Sequence, residues 1–129
     1  MSILTDSVRL DHEYRQLLSA LERDFRLNPL PILASGLCDG AADAFLVSLL
    51  RDSAAFRGGT ALLLCAEEKD CVRVCGALER FGLRTAFYMA RDLTFYNITA
   101  SHEYEHERLR VLSGLLGEDY DVANNLNYR

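Results

Sequence analysis

The sequence is poor in lysine, proline and tryptophan. Lys69 is the only lysine among 14 basic residues, two prolines occur, and tryptophan is absent. Acidic residues outnumber basic ones, and the formal net charge is −5 at pH 7. Because nucleic-acid phosphates are bound by clustered positive charge, this balance argues against a free-standing nucleic-acid binder. Half of the 129 residues are hydrophobic, which is typical of a globular domain with an ordinary core.

Long apolar runs and a secretory signal are also lacking. No apolar stretch reaches the roughly 20 residues that a membrane-spanning helix needs. The first residues carry no apolar signal-peptide core. The cysteines, which lie mostly in apolar or helical contexts, are Cys38, Cys65, Cys71 and Cys75. We therefore expect a cytoplasmic protein, without membrane partners, whose thiols are reduced and mostly buried.

Apolar residues recur with helical and strand periods in alternation along the chain. A helical stripe covers residues 7–25, with Ser7 as its predicted N-cap, and further helices are predicted over residues 40–51, 67–81 and 101–116. Apolar runs of strand length occupy residues 32–35, 60–66, 84–89 and 120–123, and the run at 60–66 predicts a strand covered on both faces. This order predicts an α/β fold: a three-layer parallel sheet with helices on both faces. Residues 124–129 match no packed element.

The turn after the first predicted strand is where an α/β nucleotide-binding domain carries its phosphate loop. That loop reads G-x-x-x-x-G-K-[ST]: its backbone N–H groups wrap the phosphates, the lysine reaches the outer phosphates and the hydroxyl holds Mg²⁺. Aligning Gly36 with the first glycine places Ala41 on the second, Ala42 on the lysine and Asp43 on the Ser/Thr. We therefore predict a degenerate phosphate loop without a cofactor, formed by Gly36, Asp39, Gly40, Ala42 and Asp43.

The charge at this loop also disfavours phosphate. The only lysine lies elsewhere, and Asp39 and Asp43 place negative charge near the helix N-terminus. Two like charges about 4 Å apart repel each other by about 4 kcal/mol at a protein surface. The sequence predicts a strand-to-helix turn with Asp39 as N-cap, and a small nucleotide-binding protein is the disfavoured alternative.

The string HEYEH, from His102 to His106, matches the H-E-x-x-H pattern in which two histidines one turn apart bind zinc. It opens its helix in a very polar context, and no third histidine follows at the spacing that metalloproteases use. The predicted buried stripe is Leu109, Leu112 and Leu116, which leaves both histidines at its solvent edge. We predict that they bind no metal, and a zinc hydrolase is the remote alternative.

Cys71 and Cys75 also have the one-turn spacing of metal ligands. They share a helix face with Val74 and Leu78, which favours a core position for both thiols. No serine lies in the context of a nucleophile elbow. The sequence therefore predicts no catalytic residues.

Three stretches of the chain resemble one family. They are ILASGLCDGAADAFLVSLL, TALLLCAEEKDCVRVCGALERFG and ARDLTFYNITASHEYEHERLRVLSGLL. Together they resemble the N-terminal, UvrB-like region of the bacterial transcription-repair coupling factor Mfd. The resemblance covers about residues 10–122, and its most specific part is residues 91–116.

The resemblance implies a helicase-like fold, of the P-loop NTPase type, that has lost its phosphate loop. It implies a non-catalytic scaffold domain over residues 1–122 and an irregular tail at 123–129, where the chain is cut short. The parent protein is an ATP-dependent DNA translocase that displaces stalled RNA polymerase and recruits UvrA. Its ATPase motors, its polymerase-binding domain and most of its UvrA-binding surface follow this region. The partners implied for these residues are the other domains of the parent protein, while DNA, RNA polymerase and UvrA are bound elsewhere.

Weak self-association is a further expectation. A last strand that only begins at residues 120–122 would leave one edge of the sheet unpaired, and an unpaired edge tends to pair with another chain.

Overall fold

The computed structural model of the protein describes residues 3–24, 31–56, 59–88 and 102–126. The elements in chain order are α1 Ile3–Leu10, α2 His12–Asp24, α3 Asp39–Asp52, a 3₁₀ turn Ala54–Phe56, β1 Ala61–Cys65, α4 Glu68–Arg80, β2 Thr85–Tyr88, α5 His102–Leu116 and β3 Val122–Leu126. They fall into two compact units, Met1–Gly58 and Gly59–Arg129. Within the described ranges, no helix combines the length and the apolar character that crossing a bilayer requires. The predicted α/β class, with a parallel sheet, is confirmed.

A break at Asp11 divides the predicted N-terminal helix into α1 and α2. Asp11 Oδ1 accepts a hydrogen bond from the backbone N–H of Tyr14 at 2.9 Å and so caps the first turn of α2. The prediction that Ser7 is the N-cap is wrong, since Ser7 lies inside α1 and its hydroxyl donates to the Ile3 carbonyl at 2.9 Å. The apolar stripe continues through the break, so periodicity alone did not reveal it.

The core of the first unit lies where α1 packs against α3. The buried residues there include Thr5, Ala44, Val47 and Ser48, and Tyr14 of α2 is buried as well. The predicted strand at residues 32–35 is absent, because residues 31–38 have no regular secondary structure and are exposed. A strand is stable only when its backbone groups pair with a neighbour, and the ladders of the described residues join β3 to β1 and to β2.

The sheet of the second unit has the strand order β1-β3-β2, and both ladders are parallel. Val122 of β3 is in register with Ala61 on one side and with Thr85 on the other. The last strand is therefore central, and it runs to Leu126 through residues predicted to be irregular. The expectation that this strand leaves the unpaired edge is wrong: in the described residues the outer strands are β1 and β2.

Helices α4 and α5 lie on opposite faces of this sheet. Thr85 donates its hydroxyl to Glu79 of α4 at 2.8 Å, whereas Tyr88 accepts a hydrogen bond from Arg108 of α5 at 2.6 Å. Positions 85 and 88 differ by an odd number, so their side chains point to opposite faces of the strand. The predicted layering on both sides of the sheet therefore holds for this unit.

Strand β1 is not covered on both faces, as its continuous apolar run predicts. Leu62 and Leu64 are 67% and 54% exposed, while Ala61, Leu63 and Cys65 alternate with them and are half-buried. The run is apolar on both faces, yet α4 covers only one of them in the described residues. An apolar composition shows that either face of a strand could be buried. Which face is buried depends on the elements that pack against it.

The two helices of the sheet unit end where the sequence predicts. Gly82 has a φ of +81° and follows α4, and the backbone N–H of Leu83 returns to the Leu78 carbonyl at 3.2 Å. Helix α5 ends at Leu116, before Gly117.

The predicted buried stripe of α5 is wrong. Leu109, Leu112 and Leu116 are 62%, 44% and 88% exposed, and the buried positions are Val111 and Gly114. The face with fewer leucines is the one that meets β2, because it carries the small residues that allow close approach.

Candidate functional site

The candidate loop leads into the first turn of α3. Cys38 occupies the N-cap position with an extended backbone (φ −79°, ψ 155°), and its carbonyl accepts the N–H groups of Ala41 and Ala42, both at 2.9 Å. The Cys38 side chain makes no capping hydrogen bond. Asp39, the predicted N-cap, is instead the first helical residue, because α3 begins one residue before the predicted start at Gly40.

Gly36 serves the turn that precedes this helix. Its φ of +81° lies in the left-handed region that favours glycine. A Cβ at position 36 or at position 40 would meet no atom within 4 Å, so neither glycine is required by a close approach within the protein. Ala42 and Asp43 are half-buried in the first turns of α3. The predicted residues therefore lie together in one loop-to-helix turn, but the strand that precedes a working phosphate loop is missing.

A groove of about 520 Å³ lies beside this turn, within the first unit. Its walls are mainly apolar, and its two charged residues are carboxylates, Asp11 and Glu13. No lysine or arginine is found among the described residues that line it. A nucleotide phosphate would meet negative charge here with no cation to neutralise it. The complete lining is Ser7, Val8, Asp11, Glu13, Tyr14, Leu17, Leu33, Ala34, Ser35, Leu37, Ala41 and Phe45.

Tyr14 forms a rigid wall of this groove. Its ring meets the ring of Phe45 edge-on, with centroids 5.8 Å apart and an angle of 76° between the planes. Its hydroxyl donates to Asp52 Oδ2 at 3.0 Å. Arg9 donates two hydrogen bonds to the same carboxylate, from Nε to Oδ2 at 2.8 Å and from Nη2 to Oδ1 at 2.7 Å. One carboxylate at the end of α3 thus holds α1 and α2 in place.

The electrostatics of this trio indicate a structural role. Burial, together with the hydrogen bond to Asp52, raises the pKa of Tyr14 well above its ordinary value. The hydrogen bonds from Arg9 hold the pKa of Asp52 below its usual range, and that partner in turn raises the pKa of Arg9. At neutral pH, Tyr14 is a neutral phenol, and Arg9 and Asp52 form an ion pair. None of the three is poised to transfer a proton.

The structure describes the side chain of only one of the two histidines of HEYEH. His106 is exposed on α5, and His102 begins α5 with its side chain outside the described residues. Among the side chains that the structure describes, no group of three or more His, Cys, Asp or Glu residues is arranged to hold a metal ion. The absence of zinc at His102 and His106 stays a prediction.

A second cavity, of about 460 Å³, lies between β2 and α5 in the sheet unit. Glu107 and Arg110 pair with each other at its rim, and the Arg110 guanidinium lowers the pKa of the Glu107 carboxyl. Its other lining residues are Thr85, Ala86, Phe87, Val111 and Tyr120. Sequence reasoning missed this cavity, because its residues come from separate elements and form no motif. Its charges are balanced within the site, so it offers no net charge to an ionic ligand.

The cysteines divide into an exposed one and a cluster. Cys38 is exposed on the loop, whereas Cys71 and Cys75 are buried on α4, as their face predicts. Cys65 ends β1 and is half-buried. None of the four forms a disulfide.

Comparisons of the chain with protein-family models, with curated proteins and with solved structures gave no match. The geometry of the site and the sequence patterns are therefore the basis for assigning a function.

Proposed function

We propose that this chain is a non-catalytic, UvrB-like scaffold domain of a cytoplasmic transcription-repair coupling factor. The observation that carries the proposal is the turn into α3. It has the glycine of a phosphate loop, at Gly36, but Ala42 and Asp43 stand where the lysine and the hydroxyl of a working loop belong. A turn of this kind is expected in a helicase-like domain that has lost nucleotide binding.

The groove beside the turn supports the same function. A nucleotide site places cations around its phosphates, whereas Asp11 and Glu13 are the charged groups of this groove. Leu17 and Phe45 form apolar walls. A phosphate that entered the groove would lose bound water and gain no hydrogen bonds from these walls in return. The binding of ATP would then belong to other parts of the parent protein, which drive it along DNA.

The sheet unit supports a helicase-like relationship at the level of architecture. Parallel strands with helices on opposite faces are the frame on which nucleotide-driven domains are built. The order β1-β3-β2 requires both connections to cross the sheet, through α4 and through α5. Fold alone does not carry function, so the proposal depends on the loop chemistry and on the resemblance over residues 10–122.

The mechanism of a scaffold is to hold surfaces at fixed distances without doing chemistry. In this chain the Arg9–Asp52–Tyr14 trio fixes the helices of the first unit, and the two ladders of β3 fix the second. The parent protein would use such internally fixed units to present its partner-binding regions while its motors pull on DNA.

Strand-specific repair in the source cells tests this function. The gene would be altered to give Leu78→Asp, which places a charge at a fully buried position of α4, or Val72→Asp, whose position on the same helix is 57% exposed. Ultraviolet lesions are then counted on the transcribed and non-transcribed strands of an expressed gene, and the protein level is measured by immunoblot.

We expect Leu78→Asp to abolish the faster repair of the transcribed strand and Val72→Asp to leave it intact. A strain with the whole gene deleted should behave like Leu78→Asp. If the deletion strain keeps its strand preference, the chain does not belong to a coupling factor.

A further inference from the structure

Three of the four cysteines meet at one end of the sheet unit. Cys65 is the last residue of β1, and only Ala66 and Glu67 separate it from the start of α4. Cys71 and Cys75 lie one turn apart on the buried face of that helix, which packs against β1. Cys71 is fully buried, Cys75 is 8% exposed, and Cys65 is half-buried.

Within this cluster, the side-chain hydrogen bond of Cys71 is to Cys65 rather than to Cys75. The thiols of Cys65 and Cys71 lie within hydrogen-bonding reach of each other, and Cys71 also interacts with a backbone group of Cys65. A disulfide needs Cα atoms within about 7 Å and side chains that point toward each other. The hydrogen bond between the two thiols places them side by side, between the end of β1 and the first turn of α4.

The two thiols differ in their access to solvent. Burial and the neighbouring thiols raise the pKa of Cys71 to about 12, so Cys71 is protonated at neutral pH. Cys65 is the more exposed member, and a small oxidant reaches it first. The pair therefore combines an accessible sulfur with a buried sulfur that can complete the reaction.

We infer that Cys65 and Cys71 are a modification site: a thiol pair that closes to an intramolecular disulfide by exchange with a low-molecular-weight disulfide. In the first step the Cys65 thiolate attacks one sulfur of glutathione disulfide, which forms a mixed disulfide and releases one glutathione thiolate. In the second step Cys71 gives its proton to solvent and attacks Cys65 Sγ, which releases the second glutathione. The protein loses two protons and two electrons, and the small disulfide gains both.

The consequence of closure is local. The bond would join the end of β1 to the first turn of α4 across a short loop, and short loops restrict the unfolded chain least. Closure would fix the strand-to-helix connection at the carboxyl edge of the sheet, which is the edge where open α/β sheets bind their partners.

The chain is well suited to a direct test, because trypsin separates the cysteines. Cys65 lies on the peptide of residues 58–69, Cys71 on 70–73, Cys75 on 74–80 and Cys38 on 27–51. The full chain is incubated with glutathione disulfide, the remaining thiols are alkylated, and the non-reducing digest is read by mass spectrometry. Glutathione on the exposed Cys38 serves as the internal control that the reagent is active.

We expect one linked product, which joins peptide 58–69 to peptide 70–73. Because burial raises the pKa of Cys71, the rate of linkage should still be rising with pH between pH 9 and pH 10. An ordinary thiol, with a pKa near 8.5, would have levelled off there.

Two variants separate the pair from the third thiol of the cluster. Cys75→Ser is the matched control, on the same buried face, and the linkage should survive in it. Cys71→Ser should stop the reaction at glutathione on Cys65, with an unchanged circular dichroism spectrum as the check of folding.

Two results would overturn the inference. One is linkage of either peptide to 74–80 in the unaltered chain. The other is modification of Cys38 while the cluster stays fully alkylated, which would leave Cys65 and Cys71 as core thiols only.

Discussion

Two helical glycines of the sheet unit differ in what surrounds them. A Cβ at Gly114 of α5 would run into the ring of Tyr120, whereas a Cβ at Gly76 of α4 would meet nothing within 4 Å. The Tyr120 backbone is held in place, because its carbonyl accepts the Thr60 hydroxyl at 2.8 Å. Glycine is therefore required by contact at position 114, and it only weakens the helix at position 76.

Gly114→Ala should destabilise the protein by up to about 2 kcal/mol. Overpacking against the ring costs about 1–3 kcal/mol, which exceeds the gain in helix propensity of about 1 kcal/mol. Gly76→Ala, the control with the same chemical change, should stabilise the protein by up to about 1 kcal/mol. Urea unfolding measures both. Equal effects at the two positions would show that the Tyr120 contact is unimportant.

Asp52 of α3 connects both N-terminal helices to α3 through its carboxylate. It accepts hydrogen bonds from Arg9 and Tyr14, and the Arg9 pair lowers its pKa. A carboxyl with a pKa lowered by folding contributes stability that is present above its unfolded pKa, near 4. That stability is lost as the pH falls through the folded pKa.

Asp52→Asn should therefore cost about 1–2 kcal/mol at pH 7, since a charged, bidentate hydrogen-bond pair is lost while the pair is partly screened by solvent. The cost should be smaller at pH 3, because below the unfolded pKa the unaltered chain takes up a proton on unfolding and the advantage of the pairing falls. The control is Asp6→Asn, which removes the longer contact of Arg9 at 3.6 Å and should cost less than about 0.5 kcal/mol. A cost for Asp52→Asn that is the same at both pH values in urea unfolding would contradict this account.

Among the elements, α5 shows that leucine content does not select the buried face. Val111 is 2% exposed, while the leucine at position 116, five residues later, is 88% exposed. The helix turns its smaller residues toward β2, and Arg108 stacks on Tyr88 with its guanidinium carbon 4.4 Å from the ring centroid.

Val111→Ala should destabilise the protein by about 2 kcal/mol, since two buried methyl groups are lost. Leu116→Ala, which removes more apolar surface from an exposed position, should change the stability by less than about 0.5 kcal/mol. Thermal unfolding followed by circular dichroism compares the two. If Leu116→Ala is the more damaging change, the stripe predicted from the sequence is the true core face.

The turn into α3 lacks more than two side chains of a phosphate loop. Its preceding segment, residues 31–38, forms no strand that would hold the loop against a sheet. The double substitution Ala42→Lys with Asp43→Thr restores the side chains but not that support.

Calorimetric titration with Mg-ATP should show no binding heat for the unaltered chain at high micromolar concentration, and none for the double variant. The variant also keeps Asp11 and Glu13 in the adjacent groove. Micromolar binding by the unaltered chain would overturn the assignment of a degenerate loop. Binding by the variant alone would show that side-chain chemistry, rather than the missing strand, is what abolishes the site.

The whole molecule consists of two compact units with different construction. The first is held by helix contacts and by the Asp52 trio, and the second by the ladders of a central strand. The groove of the first unit is lined by two carboxylates without a lysine or arginine, and the charges of the cavity between β2 and α5 pair with each other.

We expect the chain to bind UvrA no more tightly than the micromolar range. The resemblance assigns most of the UvrA-contacting surface to residues beyond this region. A surface-binding assay would compare the chain with a form extended through the small domain that the proposed coupling factor would carry after this region, and the extended form should bind. Submicromolar binding by the short chain would place the recruiting surface within the residues described above.

Local patterns were enough to establish much of this protein. The helices α4 and α5 end within a residue or two of their predicted limits, because apolar periodicity and a following glycine are properties of neighbouring residues. The alternation of strands and helices correctly indicated a parallel sheet. The prediction of a degenerate phosphate loop is also local, since it depends on which residues stand at positions 42 and 43.

Other features depended on contacts between distant parts of the chain. Residues 32–35 have the composition of a strand but gain no partner, while residues 123–126 look irregular and become the centre of the sheet. The buried face of α5, the groove beside Tyr14 and the meeting of Cys65 with Cys71 have the same origin. A strand or helix pairs its backbone and buries its side chains against the segments that lie next to it in the folded structure. No pattern within one segment specifies which segments those are.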